Sequence, residues 1–115
     1  MKQVQVTAIF PNIAPARLAD FKECVAQGVE VTKDEPGTLQ YDWFFNSDET
    51  RGVVRQTFAS SEAVLAHAAN MGELLGELVE LGGGVELELY GKPSPDVLGL
   101  VANFPVDVHA YYRGK

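Results

Sequence analysis

A single cysteine, Cys24, occurs in this 115-residue chain. That excludes an intramolecular disulfide and the metal clusters built from paired cysteines, and it fits a reducing cytoplasm. Long apolar runs are missing too: none approaches the ~18 residues that a membrane-crossing helix requires. The first residues, Met1-Lys2-Gln3-Val4-Gln5-Val6, alternate polar and apolar, a strand pattern rather than the core of a signal peptide. Positive charge is scarce, with 9 Lys and Arg against 16 Asp and Glu and a net charge of −7. A nucleic-acid binder needs a basic stripe to displace counterions from phosphates. None is present, and an anionic membrane surface is disfavoured for the same reason. Histidine appears only at positions 67 and 109, without the HExxH or paired carboxylate–histidine spacing, so a metal is not expected. Gly82-Gly83-Gly84 follows a helix instead of opening one and is not a phosphate cradle. Small molecules and other protein chains are the partners that remain.

What is present is the balance of one globular domain, 46% hydrophobic and 22% charged. Val4, Val6, Ala8 and Phe10 alternate with Gln5, Thr7 and Ile9, predicting a strand over 3–10. Pro11 and Pro15 interrupt it, and Pro15 suits the first turn of a helix. Leu18, Phe21, Val25 and Gly28 fall at helical spacing, so an amphipathic helix is expected over 15–33, stopped by Glu35-Pro36-Gly37. Thr38–Phe45 reads as a second strand, with Leu39, Tyr41, Trp43 and Phe45 on one face and Gln40, Asp42 and Phe44 on the other. A polar hairpin over 46–52 leads to a third strand over 53–58. Ser60 is a good N-cap, and Glu62 in the first turn favours the dipole of a second helix, read as continuous to the glycines at 82–84. Val85–Tyr90 alternates as a fourth strand. Pro93-Ser94-Pro95-Asp96 caps a short helix over 95–102, and the alternation of Val106, Val108 and Ala110 predicts a last short strand.

Two β-α-β units joined by a hairpin predict an α+β, ferredoxin-like fold: a four-stranded antiparallel sheet with both helices on one face. Residues 1–91 form its core and 92–115 an extension of the same domain. Helices on one face only, beside a second strand that is aromatic on one side and partly apolar on the other, would leave apolar surface exposed. A face-to-face homodimer is expected to cover it.

His67 is the strongest candidate for chemistry. At about 100° per residue, Val64, Met71, Leu74, Leu78 and Leu81 lie within about 60° of it, whereas Glu62, Glu73, Glu77 and Glu80 lie on the far side. Imidazole in a dry pocket is suited to taking a substrate proton, although a histidine that only packs helix on sheet has the same pattern. Trp43 and Tyr41 share a strand face suited to walling a flat ligand or to filling core. Arg55 either pairs with Asp42 across the hairpin or holds an anionic oxygen. Asn12 closes a strand as a turn residue or a polar ligand contact. Gly72 and Gly76 have the spacing of close helix packing, and Cys24 reads as a small core residue.

Two segments carry a family resemblance. Glu35-Pro36-Gly37-Thr38-Leu39-Gln40-Tyr41 is similar to the EPGxLxY entry to the second strand in antibiotic-biosynthesis monooxygenase-like domains of the dimeric α+β-barrel superfamily. Phe58–His67 resembles their strand-to-helix segment, which ends in A-x-x-A-H. With the strand order, the resemblance spans residues 3–91. It implies a homodimer with a cavity between helices and sheet in each subunit. One branch of that superfamily oxidises anthrones and quinols without a cofactor, the substrate itself activating dioxygen while the protein binds it, eases its deprotonation and excludes water. In that setting His67 is the proton acceptor, and Trp43, Tyr41, Asn12, Arg55 and Met71 are the expected binding residues for a small aromatic molecule. Haem-degrading members use an Asn, a Trp and a helix His. Asn12, Trp43 and His67 supply these types, but Trp43 stands on the second strand rather than near the second helix. A non-enzymatic dimeric ligand-binding or stress protein is the third reading.

Overall fold

Alternation decides the first element of the computed structural model, which describes residues 2–115. Val4, Val6, Ala8 and Phe10 turn inward along β1 (Val4–Phe10) and are buried, while Gln5 faces out. A single 3-10 turn (Pro15–Arg17) then leads into α1 (Leu18–Thr32), which buries Phe21, Cys24 and Gly28 against the sheet. β2 (Thr38–Phe45) and β3 (Gly52–Phe58) form the hairpin. Its loop is closed by Asn46 Oδ1, which accepts from the backbone N–H groups of Thr50 and Arg51. Ser60 Oγ caps α2 (Ser61–Met71), accepting from Ala63 N–H at 3.2 Å. α3 (Glu73–Leu81), β4 (Glu86–Gly91), α4 (Pro95–Val101) and β5 (Val106–His109) complete the chain.

The strand order is β2-β3-β1-β4-β5. Its first four strands are the expected antiparallel ferredoxin-like sheet, but the sheet is five-stranded and mixed, because β5 pairs with β4 in parallel. Parallel neighbours need a crossover, and α4 is that crossover. Val106 and Val108 lie opposite Leu87 and Leu89, so the alternation that predicts the strand also matches its partner's inner face.

A second departure concerns the helix after Ser60. It breaks at Gly72, whose φ of 55° and ψ of −125° no side-chain-bearing residue adopts comfortably. α2 ends where Gly72 N–H meets Ala68 O, and α3 turns to pack along α1. The apolar spacing continues across the break, which is why periodicity alone reads one helix. Nor do Gly72 and Gly76 mark close packing: a Cβ at Gly76 would meet nothing within 4 Å.

The aromatic face of β2 turns toward the helices, as its alternation implies, except at Leu39, which a register shift between Thr38 and Gln40 leaves 54% exposed. Tyr41, Trp43 and Phe45 lie under α1, where Trp43 stacks on Phe10 at 5.4 Å and meets Phe21 edge-on at 5.7 Å. Burying a side chain such as Phe21, which is fully enclosed, is worth roughly 1.5–3 kcal/mol. The outer face carries Gln5, Thr7, Gln40, Asp42, Arg55 and Glu88. Its apolar content is mainly one row, Phe44–Val53–Ile9, in register across β2, β3 and β1. Cys24 is buried, and its Sγ donates to Glu77 Oε2 at 3.2 Å. Burial, followed by Glu77, pushes the thiol up to about 11, so it stays protonated and inert. Among the described residues, no helix is long and apolar enough to cross a membrane.

Candidate functional site

Between the inner face of β1, β3 and β4 and the three helices α2, α3 and α4 lies a cavity of about 310 Å³. Its walls are aliphatic and aromatic, and only Gln56 and His67 bring polar side-chain groups to it. Leu100 and Phe104 line it yet are 46% and 39% exposed, so they stand at its mouth. A broader hollow of about 420 Å³ lies on the opposite face, lined by polar residues including Arg55 and Gln40. The apolar site with a buried titratable group is the better candidate for chemistry.

His67 projects from the inner face of α2, 6% exposed, its ring between Phe58 at 5.2 Å and Tyr41 at 5.5 Å. Its Nδ1 lies 2.8 Å from Glu35 Oε1, and both side chains are buried. Glu35 is held at both oxygens: the Thr38 hydroxyl donates to Oε1 at 2.7 Å, and Asn70 Nδ2 donates to Oε2 at 2.8 Å. Desolvation raises the Glu35 carboxyl, but the hydrogen bonds from Thr38, Asn70 and His67 outweigh it and leave the pKa below its ordinary value of 4.5. With an ionised carboxylate on Nδ1, the neutral imidazole carries its proton there. Nε2 has no hydrogen-bond partner among the described residues. Gln56, 8% exposed, donates from Nε2 to Val6 O at 3.4 Å and presents the other polar group of the cavity wall.

The Glu-Pro-Gly turn is built to make this pair. Glu35 N–H bonds to Thr32 O at the end of α1, and Gly37 O accepts from Ala59 N–H at 2.8 Å. A Cβ at Gly37 would sit 2.6 Å from Ala63 Cβ, one turn before His67 on α2. The turn therefore rests directly on the helix, and only glycine permits that approach. Gly37→Ala is expected to lift the turn, lengthen the Glu35–His67 contact and cost about 1–3 kcal/mol, measurable as a lower thermal midpoint. An unchanged midpoint would show that the contact is not tight.

Of the catalytic and binding residues expected from the sequence, His67 alone lines the cavity. Tyr41 touches its ring from the α1 side, with its hydroxyl against Gly28. Trp43 belongs to the aromatic cluster under α1, and its Nε1 is buried without a partner. Met71 is core, 3% exposed and packed beside Gly28. Asn12 is exposed at the end of β1, where its backbone N–H meets Gly82 O. Arg55 lies on the outer face directly opposite Asp42. Arg55 is thus on the opposite face of the sheet, Tyr41, Trp43 and Met71 are packed against α1, and Asn12 is at a strand end, so none of the five lines the cavity. Glu35, read from sequence as a helix stop, is the partner that sequence reasoning missed. The only signal for it was that one family-like segment begins with Glu35 and the other ends in His67.

Burial pushes the Tyr41 phenol up to about 12; the Glu35 charge adds to this, and the Trp43 indole partly offsets it without completing a hydrogen bond. The fold thus favours the neutral phenol. Its contribution to stability is full below the ordinary value of 10 and is lost as pH rises toward 12. Phenolate absorbance on alkaline titration is expected to show a late-ionising tyrosine that Tyr41→Phe removes. Ionisation at the ordinary value would contradict this burial.

The chain matches the antibiotic biosynthesis monooxygenase family model over residues 5–71. No curated protein matches it. Its fold is similar to that of MupZ from Pseudomonas fluorescens, with a TM-score of 0.83 and 23% identity over 100% of this chain and 94% of that one. A conserved protein from Methanosarcina mazei Go1 aligns with a TM-score of 0.70 and 17% identity, covering 82% of this chain and 95% of the other. SnoaB from Streptomyces nogalater, a cofactor-independent oxygenase solved as a mutant, aligns with a TM-score of 0.62 and 15% identity over 82% and 96% of the two chains. Identities this low show a common fold and nothing finer. The family model, however, spans more than half of the residues and includes both halves of the Glu35–His67 contact, and the chain belongs to the antibiotic biosynthesis monooxygenase family.

Proposed function

We propose that this protein is a cofactor-independent monooxygenase of a small, electron-rich aromatic such as an anthrone or quinol. The observation that carries the reading is a buried imidazole lining an apolar cavity, anchored by a carboxylate at Nδ1 and unpartnered at Nε2. That arrangement suits proton abstraction from a substrate held away from water. Nε2 takes the acidic proton of the substrate. The resulting anion is electron-rich enough to reduce dioxygen, a carbon–oxygen bond forms, and the O–O bond breaks. For an anthrone, one oxygen atom becomes the new carbonyl of the quinone. The other leaves as water, with protons returned through the imidazolium that Glu35 stabilises. Gln56 is placed to bond a substrate oxygen.

Oxygen uptake with an anthrone and a naphthoquinol, followed together with quinone absorbance, tests the reading. Stoichiometric uptake and quinone formation support it. Tight binding without uptake would leave the non-enzymatic ligand-binding role instead. The haem reading is disfavoured, because no Lys or Arg lines the cavity to meet two propionates, and Asn12, Trp43 and His67 do not converge. Family membership also supports a homodimer, for which the row Phe44–Val53–Ile9, with Tyr90 on the same outer sheet face, offers apolar surface.

A further inference from the structure

The tautomer of a neutral imidazole is set by the hydrogen bond that one of its nitrogens makes. Glu35 offers His67 Nδ1 an acceptor at 2.8 Å, and an ionised carboxylate has no proton to donate. The carboxylate has little freedom to turn away, because Thr38 occupies Oε1 at 2.7 Å and Asn70 occupies Oε2 at 2.8 Å. Asn70 is itself tied to Val31 O at the end of α1, at 3.3 Å. Nδ1 must therefore donate, and Nε2 is left with a lone pair at the wall of an otherwise apolar cavity. No Lys, Arg, Asp or Glu lines that cavity, so a charged ligand would be buried without a counter-charge.

We infer that Glu35 is a positioning residue that makes His67 Nε2 an obligate acceptor, so that the cavity selects uncharged apolar molecules carrying a hydroxyl or N–H donor. A ligand of the same shape without the donor leaves Nε2 buried and unpaired, the kind of mismatch that a hydrogen-bonding site rejects most strongly. The inference rests on the proposal that this cavity binds the ligand, but it needs no turnover.

Two measurements on the full-length protein test it. The first is the tautomer in the wild type, read by ¹⁵N NMR at about pH 8.5, above the ordinary imidazole range. The chain has two histidines, and His109→Gln removes the signal of the second. The Nδ1–H form is expected, and a dominant Nε2–H form would overturn the inference with no variant required. The second is calorimetric titration with naphthol and with its methyl ether, which share a ring system but differ in the donor. Wild type is expected to bind naphthol roughly tenfold tighter than the ether. In Glu35→Ala, where Nε2 is free to carry the proton, the preference collapses to about twofold or less. Equal binding of the two by wild type, or full discrimination retained in Glu35→Ala, would overturn it. Discrimination without any oxygen uptake leaves this inference standing and removes the oxygenase reading.

Discussion

Glu35→Ala is expected to lower the free energy of unfolding by about 2 kcal/mol, or on the order of 10 °C in thermal midpoint. The size follows from what the carboxylate holds. It accepts from Thr38, Asn70 and His67; its loss leaves the buried His67 without its partner, whereas the exposed Asn70 amide can turn to water. The substitution also unties the α1–β2 turn from α2. The effect depends on pH with a definite sign. The folded-state pKa of Glu35 is depressed, so its contribution is present above the ordinary value of 4.5 and is lost as pH falls through the folded-state value. Urea unfolding at a series of pH values should therefore show the gap between wild type and Glu35→Ala narrowing in acid. Asp48, also depressed through its hydrogen bonds to Thr50, is present in both proteins and cancels in the difference. A gap of equal size at about pH 3 and pH 7 would show that the carboxylate charge contributes nothing. In a His67→Ala background the cost of Glu35→Ala should shrink, because the two residues share one contact.

His67→Ala carries the largest expected effect on activity. Removing a general base positioned at the reacting atom costs 10²–10⁴-fold in kcat, the range of about 3–5 kcal/mol in transition-state energy. KM should rise by no more than about tenfold, the share of binding that the Nε2 hydrogen bond supplies, since most of the binding surface is the apolar wall. A histidine that only filled space between Phe58 and Tyr41 would affect stability and leave kcat of the folded fraction intact. Added imidazole separates the two roles. It should restore part of the lost rate by entering the space vacated beside the cavity, an outcome that packing alone does not produce. Unchanged kcat in His67→Ala would remove the assigned role.

The extent to which this protein was legible from its sequence varied by element. Alternation located β1, β3 and β4 within a residue or so, because side chains on a half-buried strand must change face at every step. Ser60 and the glycines at 82–84 marked helix ends through local backbone chemistry, with Gly83 and Gly84 at φ 72° and 113°. His67 was legible as a residue on a sheet-facing helix stripe. Whether it met a cavity or packed side chains was not, since both produce the same stripe. The break at Gly72 escaped because the apolar period survives it.

The sequence by itself determined the α+β class, most of the element order, the net negative charge and the inward direction of His67, because each of these depends on composition or on residues a few positions apart. Tertiary structure alone decided the rest. It set β5 beside β4 in parallel, turned the aromatic face of β2 under α1, and left a cavity between the sheet and the broken helix. It also brought Glu35 to His67 across 32 positions of chain. That meeting depends on the path of a turn, the absence of a Cβ at Gly37 and the register of a helix it rests upon. No local pattern records such a sum of distant choices, and the chemistry proposed for this protein depends on it.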